Sequence, residues 1–187
     1  GIGGSSPVEG KIYEWSYNGG SWSNTLVTDG KYAGLINMAL GNGRNDGNNY
    51  LYFNEHTAGG DIYEMVWNGS GWSENLVTTM HASVSPTSIT VGDGRGDGVG
   101  RLYVGGYHNS QAGGSPFAVM EYTWNGAAWT TDTVMTIDYS ESDGVIGDAR
   151  GDGKNRLYIA SKCPMEADFS SSWYYDNVNT CSSNHYA

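Results

Sequence analysis

The sequence predicts an all-β fold built from repeated four-stranded antiparallel units of about 50 residues. Three observations carry that expectation. A glycine-rich segment occurs three times, at Gly41-Asn42-Gly43-Arg44-Asn45-Asp46-Gly47, Gly92-Asp93-Gly94-Arg95-Gly96-Asp97-Gly98 and Gly147-Asp148-Ala149-Arg150-Gly151-Asp152-Gly153. Each copy leads into an apolar run: Tyr50-Leu51-Tyr52-Phe53, Arg101-Leu102-Tyr103-Val104 and Arg156-Leu157-Tyr158-Ile159. A second motif alternates with it, from Ile12-Tyr13-Glu14 to Trp22, from Ile62-Tyr63-Glu64 to Trp72, and from Val119-Met120-Glu121 to Trp129. The chain also carries 29 Gly, 14 Tyr and 7 Trp with no sustained helical spacing, a mix that suits short strands joined by tight turns.

Taken in order, the first strand is expected at Lys11–Tyr17, with a turn at Asn18-Gly19-Gly20 and a return strand Trp22–Thr28. Asn-Gly is a strong hairpin signal because the turn requires positive φ. The same outer hairpin recurs as Asp61–Trp67 with Trp72–Thr78, and as Phe117–Trp124 with Trp129–Met135. Between them lie inner hairpins whose connection is the glycine-rich segment. These are Gly34–Leu40 with Leu51–Glu55, Ser88–Val91 with Arg101–Tyr107, and Gly144–Ile146 with Arg156–Lys162.

Trp22, Trp72 and Trp129 are spaced by about 50 and about 57 residues, and Arg44, Arg95 and Arg150 by about 51 and about 55. Four short strands in a unit of that length make a propeller blade, so the expected architecture is a β-propeller-type array of about three blades. The order is one outer hairpin, two inner–outer pairs and one inner hairpin. Either the first outer hairpin closes on the last inner one, or a strand near Trp173-Tyr174-Tyr175 completes the last blade and leaves the leading hairpin for a neighbour. Propellers have about four to eight blades, so completion by a longer chain or by other copies is expected. Residues 1–162 read as the blade repeats. Residues 163–187 read as a Cys-bounded aromatic tail that packs on the domain or on a partner.

The mid-strand carboxylates Glu14, Glu64 and Glu121 need partners if half-buried. The repeated Arg44, Arg95 and Arg150 are expected to supply them, within a blade or across to the next. Three equivalent catalytic sites in one chain would be unusual, so these residues read as structural and no enzyme activity is expected.

The segment Asp93-x-Arg95-x-Asp97-Gly98-x-x-Arg101 resembles the calcium loops of FG-GAP/VCBS propeller repeats, and the likeness covers the loop and following strand in all three copies. The resemblance implies calcium at Asp93, Asp97, Asp148 and Asp152. The departures are systematic. Arg44, Arg95 and Arg150 stand at one ligand position, and Tyr50, Arg101 and Arg156 at another. Calcium takes six or more oxygens, and guanidinium groups remove two of them. The expectation is a metal-free loop in which guanidinium groups pair with Asp46, Asp93, Asp97, Asp148 and Asp152, bridging the two aspartates of each loop.

The net charge of −11 repels phosphate backbones, so no nucleic-acid partner is expected. No apolar run reaches membrane-spanning length. Cys163 and Cys181 are expected to form a disulfide, which points to an oxidising, extracellular or cell-surface setting. Asn68-Gly69-Ser70 is a glycosylation sequon, although a tight turn is also expected there. The Arg-Gly-Asp triplets at Arg95 and Arg150 are explained by the loop pattern, and none of the four histidines forms a metal-spaced pair.

These observations favour an extracellular, non-enzymatic binding or assembly module. Trp22, Trp72, Trp129, Trp173 and Tyr174 are the candidate contact residues for a glycan or a partner. A subunit of a filament, sheath or ring is the alternative, and a fragment of a secreted polysaccharide-active enzyme is a third.

Overall fold

The computed structural model describes residues 9–55, 59–81, 84–108, 117–137, 141–161 and 165–177. All regular structure among them is β. The strands are β1 (Glu9–Tyr17), β2 (Trp22–Ala33), β3 (Leu35–Gly41), β4 (Tyr50–Glu55), β5 (Asp61–Trp67), β6 (Trp72–Thr79), β7 (Val84–Gly92), β8 (Arg101–His108), β9 (Phe117–Trp124), β10 (Trp129–Ile137), β11 (Glu141–Gly147), β12 (Arg156–Ser161), β13 (Met165–Phe169) and β14 (Trp173–Asn177). They form one half-sheet, β1-β2, and three four-stranded antiparallel meanders, β3-β4-β5-β6, β7-β8-β9-β10 and β11-β12-β13-β14.

The outer turns form where the sequence places them. Gly19, Gly69 and Gly126 adopt φ of 88°, 95° and 97°. In each turn the preceding asparagine's side-chain oxygen accepts backbone N–H groups, as Asn68 does from Ser70 and Gly71 at 3.0 Å each. Asn18 and Asn125 do the same without a sequon, so the turn alone accounts for Asn68. An aromatic pair closes each of the four outer hairpins across its turn: Tyr17/Trp22, Trp67/Trp72, Trp124/Trp129 and Phe169/Trp173, with centroids 5.4 to 5.5 Å apart.

Two expectations need correction. The boundary after residue 162 falls inside a sheet. β13 and β14 are a fourth outer hairpin, with Glu166 paired to Tyr158 as Glu64 is to Tyr52 and Glu121 to Tyr103. The repeat was hard to see there because Phe169 replaces the expected tryptophan and the turn is Ser-Ser-Ser. Two of the inner edge strands, β7 and β11, also start earlier than expected, whereas β3 starts one residue later, at Leu35. β7 begins at Val84 and runs through Pro86, which sits beside a register shift on an edge strand, where a missing N–H is tolerated. Cys163 and Cys181 lie outside the described residues.

Each four-stranded sheet packs on the next through alternating side chains. Phe53 and Met65 meet Ile12 and Val27 of the half-sheet. Leu102, Val104 and Tyr122 meet Tyr52 and Ile62. Leu157, Ile159 and Ala167 meet Tyr103 and Val119. The inner strands approach closely. A Cβ at Gly41 would lie 2.7 Å from Val91, and one at Gly92 would lie 3.2 Å from Ile146. Each sheet therefore has a leading face toward the preceding sheet and a trailing face toward the next.

Candidate functional site

The glycine-rich loops hold ion pairs within their own sheets, two sets in the second and third loops and one in the first. Take the loop between β7 and β8. Asp93 turns inward and accepts the Asp97 and Gly98 amides at 3.0 and 2.8 Å. Gly98 permits this at φ 82°. Asp97 takes a forked guanidinium, Arg101, at 2.8 and 2.7 Å, and the Val99 amide at 3.0 Å. The Arg101 guanidinium is the first cause that holds the Asp97 carboxyl down at about 2. Arg95 leaves the loop and pairs with Glu121, donating from Nε at 2.9 Å and through a second bond from Nη2. Asp132 receives Arg95 at 3.1 Å.

The loop between β11 and β12 repeats this. Asp148 accepts the Asp152 and Gly153 amides at 3.1 and 2.7 Å, and Arg156 forks onto Asp152 at 2.8 Å through both terminal nitrogens. That pairing, first among the causes, drives the Asp152 carboxyl well below the usual range. Arg150 reaches Glu166 at 2.6 Å, and Arg156 reaches it at 3.3 Å. The loop between β3 and β4 is a variant. Asn42 takes the Asp93 role, the Tyr50 hydroxyl bonds Asp46 in place of a guanidinium, and Arg44 pairs with Glu64 at 2.7 and 2.9 Å.

The expected Arg–carboxylate pairing thus takes a different form in two respects. No guanidinium bridges the two aspartates of a loop, because backbone amides already occupy Asp93 and Asp148. The third glutamate of the series is Glu166, and among the described residues no arginine reaches Glu14. Sequence reasoning missed Glu166 because its hairpin was not recognised; the spacing from Arg150 to Glu166, close to that from Arg44 to Glu64, was the available signal.

The donor set does not suit calcium. Both oxygens of Asp93 and of Asp148 accept backbone amides. Arg101 and Arg156, 7% and 3% exposed, fill the place of a cation beside Asp97 and Asp152.

The first arginine of the first and second loops also touches the following sheet. Arg44 stacks on the Trp124 ring at 4.3 Å, and Arg95 stacks on Phe169 at 4.1 Å. Beside these contacts Trp129 meets Tyr52 edge-on at 6.1 Å, and Trp173 meets Tyr103 edge-on at 5.8 Å. Burial, with the Glu64 and Glu121 carboxylates nearby, pushes the Tyr52 and Tyr103 hydroxyls far above the usual phenol range. The Asn45 amide, at φ 60°, adds a clamp to the next loop: it donates to the Gly100 carbonyl at 3.0 Å and accepts the Gly100 amide at 2.6 Å.

Each of the two junctions between four-stranded sheets therefore contains the same set, in which a guanidinium bonds a glutamate behind it and stacks on an aromatic ring ahead. The ends of the array each carry one half. Arg150 is 58% exposed on the trailing side. Tyr17 and Trp22, the counterparts of Trp124 and Trp129, are 57% and 64% exposed on the leading side, with Trp15 at 59% beside them. Of the aromatic candidates, Trp129 and Trp173 are committed to tyrosines, Trp72 packs on the half-sheet core, and Trp22 and Tyr174 face solvent. A separate cavity of about 260 Å³ opens between the second and third sheets, lined by Thr78, Met80, His81, Val84, Met120 and Tyr122 among others.

No family model matches this chain, and no curated protein matches it.

Proposed function

We propose that the chain is a non-enzymatic, extracellular β-propeller-type module that assembles with other copies of itself through the two ends of its sheet array. One observation carries this reading: the junction that holds the sheets together inside the chain is present at the ends as two unmatched halves. The leading side of the half-sheet exposes Tyr13, Trp15, Tyr17, Trp22 and Leu26 together. An aromatic surface of that kind on a soluble chain marks an interaction site. The trailing side offers the exposed guanidinium of Arg150, which Glu166 holds from behind and, among the described residues, no ring covers. A head-to-tail contact of this type closes into a ring or continues as a filament, depending on the rotation per copy.

The mass of the purified chain in solution tests the reading. Light scattering is expected to give a multiple of 20.1 kDa, and the Trp22→Ala variant is expected to shift toward the single chain. A single chain at every concentration contradicts it. Carbohydrate recognition is a second reading, favoured by the open ring faces of Trp15 and Trp22. Glycan-array binding that disappears in the Trp22→Ala variant, with the mass unchanged, selects it.

A further inference from the structure

We infer that the half-sheet and the leading face of the second sheet form a slot for one more inner hairpin of this repeat, supplied by another chain. The inference deepens the assembly reading and rests on it only for the idea that partners are of the same repeat. It concerns a different surface from the head-to-tail ends.

Four observations meet at one place. β1 pairs with β2 alone among the described residues, whereas its counterparts β5, β9 and β13 are each flanked on the other side by β4, β8 and β12. A strand with one open ladder edge templates another strand. Glu14 is exposed and, among the described residues, receives no arginine, whereas Glu64 and Glu121 are 0% and 1% exposed under theirs. Leu40 and Met38 on β3 are 67% and 59% exposed, whereas Ile89, the counterpart of Met38, is 4% exposed; Val91, the counterpart of Leu40, packs against Gly41 of the preceding inner strand. Trp67 is 52% exposed, whereas Arg44 and Arg95 cover its counterparts Trp124 and Phe169.

One kind of segment satisfies all four. Its second strand pairs with β1 and sets a tyrosine opposite Glu14, in the register of Tyr52 with Glu64 and Tyr103 with Glu121. Its loop arginine bonds Glu14 and lies over Trp67. Its first strand ends in a glycine that receives Leu40, as Gly41 receives Val91 and Gly92 receives Ile146. The slot is held open in a fixed place because Ile12 and Val27 already pack on Phe53 and Met65. The partner is therefore a two-stranded hairpin with the pattern Gly-Asp-x-Arg-x-Asp-Gly followed by Leu-Tyr and an apolar residue.

The probe is a synthetic peptide of residues 84–108, added to the full chain and followed by calorimetric titration and by the melting temperature. Saturable one-to-one binding and a higher melting temperature are expected. Glu14→Lys in the chain is expected to weaken binding at least about tenfold, and an Arg95→Glu peptide is expected to restore binding to that variant and not to the parent. Because an isolated hairpin is marginal in water, the same segment is also fused to the chain through a flexible linker. Hydrogen exchange is then expected to slow at β1 amides in the fusion and not in its Arg95→Glu version. No binding together with unprotected β1 amides in the fusion overturns the inference, as does binding indifferent to Glu14. Binding in which the charge exchange has no effect also overturns it. A head-to-tail failure would show instead as a single-chain mass without peptide and would leave these readouts untouched.

Discussion

Replacing Arg44 by methionine isolates what the loop arginines contribute. Among the described residues Arg44 is the guanidinium that bonds Glu64, at 2.7 and 2.9 Å, and Glu64 is 0% exposed with Asn75 Nδ2, at 3.2 Å, as a further bonded side chain. Stranding a buried carboxylate in this way costs about 3–5 kcal/mol. The side chain also stacks on Trp124, worth about 1 kcal/mol, part of which the methionine sulfur keeps. A loss of about 4 kcal/mol is a large share of the roughly 5–15 kcal/mol that a domain has. Arg150→Met is the matched control. Arg150 is 58% exposed, its partner Glu166 keeps Arg156 at 3.3 Å, and the expected loss is no more than about 1 kcal/mol. Adding Glu64→Gln to Arg44→Met removes the stranded charge and is expected to recover at least half of the loss. Urea unfolding followed by tryptophan fluorescence reads all four proteins. Equal losses for Arg44→Met and Arg150→Met, or a double variant no better than Arg44→Met alone, would refute the reasoning.

Three further outcomes follow from the loops. Asp97 and Asp152 have folded pKa values below their unfolded ones, so the stability they contribute is present above about pH 4 and is lost as the pH falls toward 2; Asp97→Asn should remove about 1 kcal/mol at pH 7, after allowance for its 43% exposure, and flatten the melting temperature between pH 4 and 2. Gly94→Ala places a Cβ 2.8 Å from the buried Tyr103 ring and should cost about 1–3 kcal/mol by thermal melting, whereas Ala149→Gly, at the equivalent exposed position of the last loop, should cost less than about 1 kcal/mol. Calcium at millimolar concentration should move the melting temperature by less than about 2 °C, because guanidinium groups and amides already hold the loop oxygens; a rise of about 10 °C would show that cation binding reorganises the loop.

Much of this arrangement was legible in the residues. The Asn-Gly turns, the aromatic pairs around them and the alternation along Ile62–Trp67 all report local backbone demands, and local demands repeat with the sequence. Glu64 and Glu121 announced their need for arginine because a carboxylate buried mid-sheet needs a partner. What stayed hidden depended on contacts between sheets. Nothing local distinguishes Glu14, which lacks its arginine, from Glu64, which has it. The direction of Arg44 and Arg95, out of their loops and onto the next sheet's aromatic ring, is likewise set by packing. The strand expected near Trp173 does complete the last sheet, as β14, but its partner β13 escaped because Phe169 and three serines keep the hairpin's shape while changing its letters.

Mixing two variants that each disable one end measures the self-assembly most directly. Arg150→Ala removes the trailing guanidinium, and Tyr17→Glu with Trp22→Ala removes the leading aromatic pair. Neither protein alone is expected to associate, while an equal mixture is expected to form a two-chain species by light scattering, because each supplies the end the other lacks. A mixture that stays at 20.1 kDa, or either variant associating on its own as the parent does, would contradict the account.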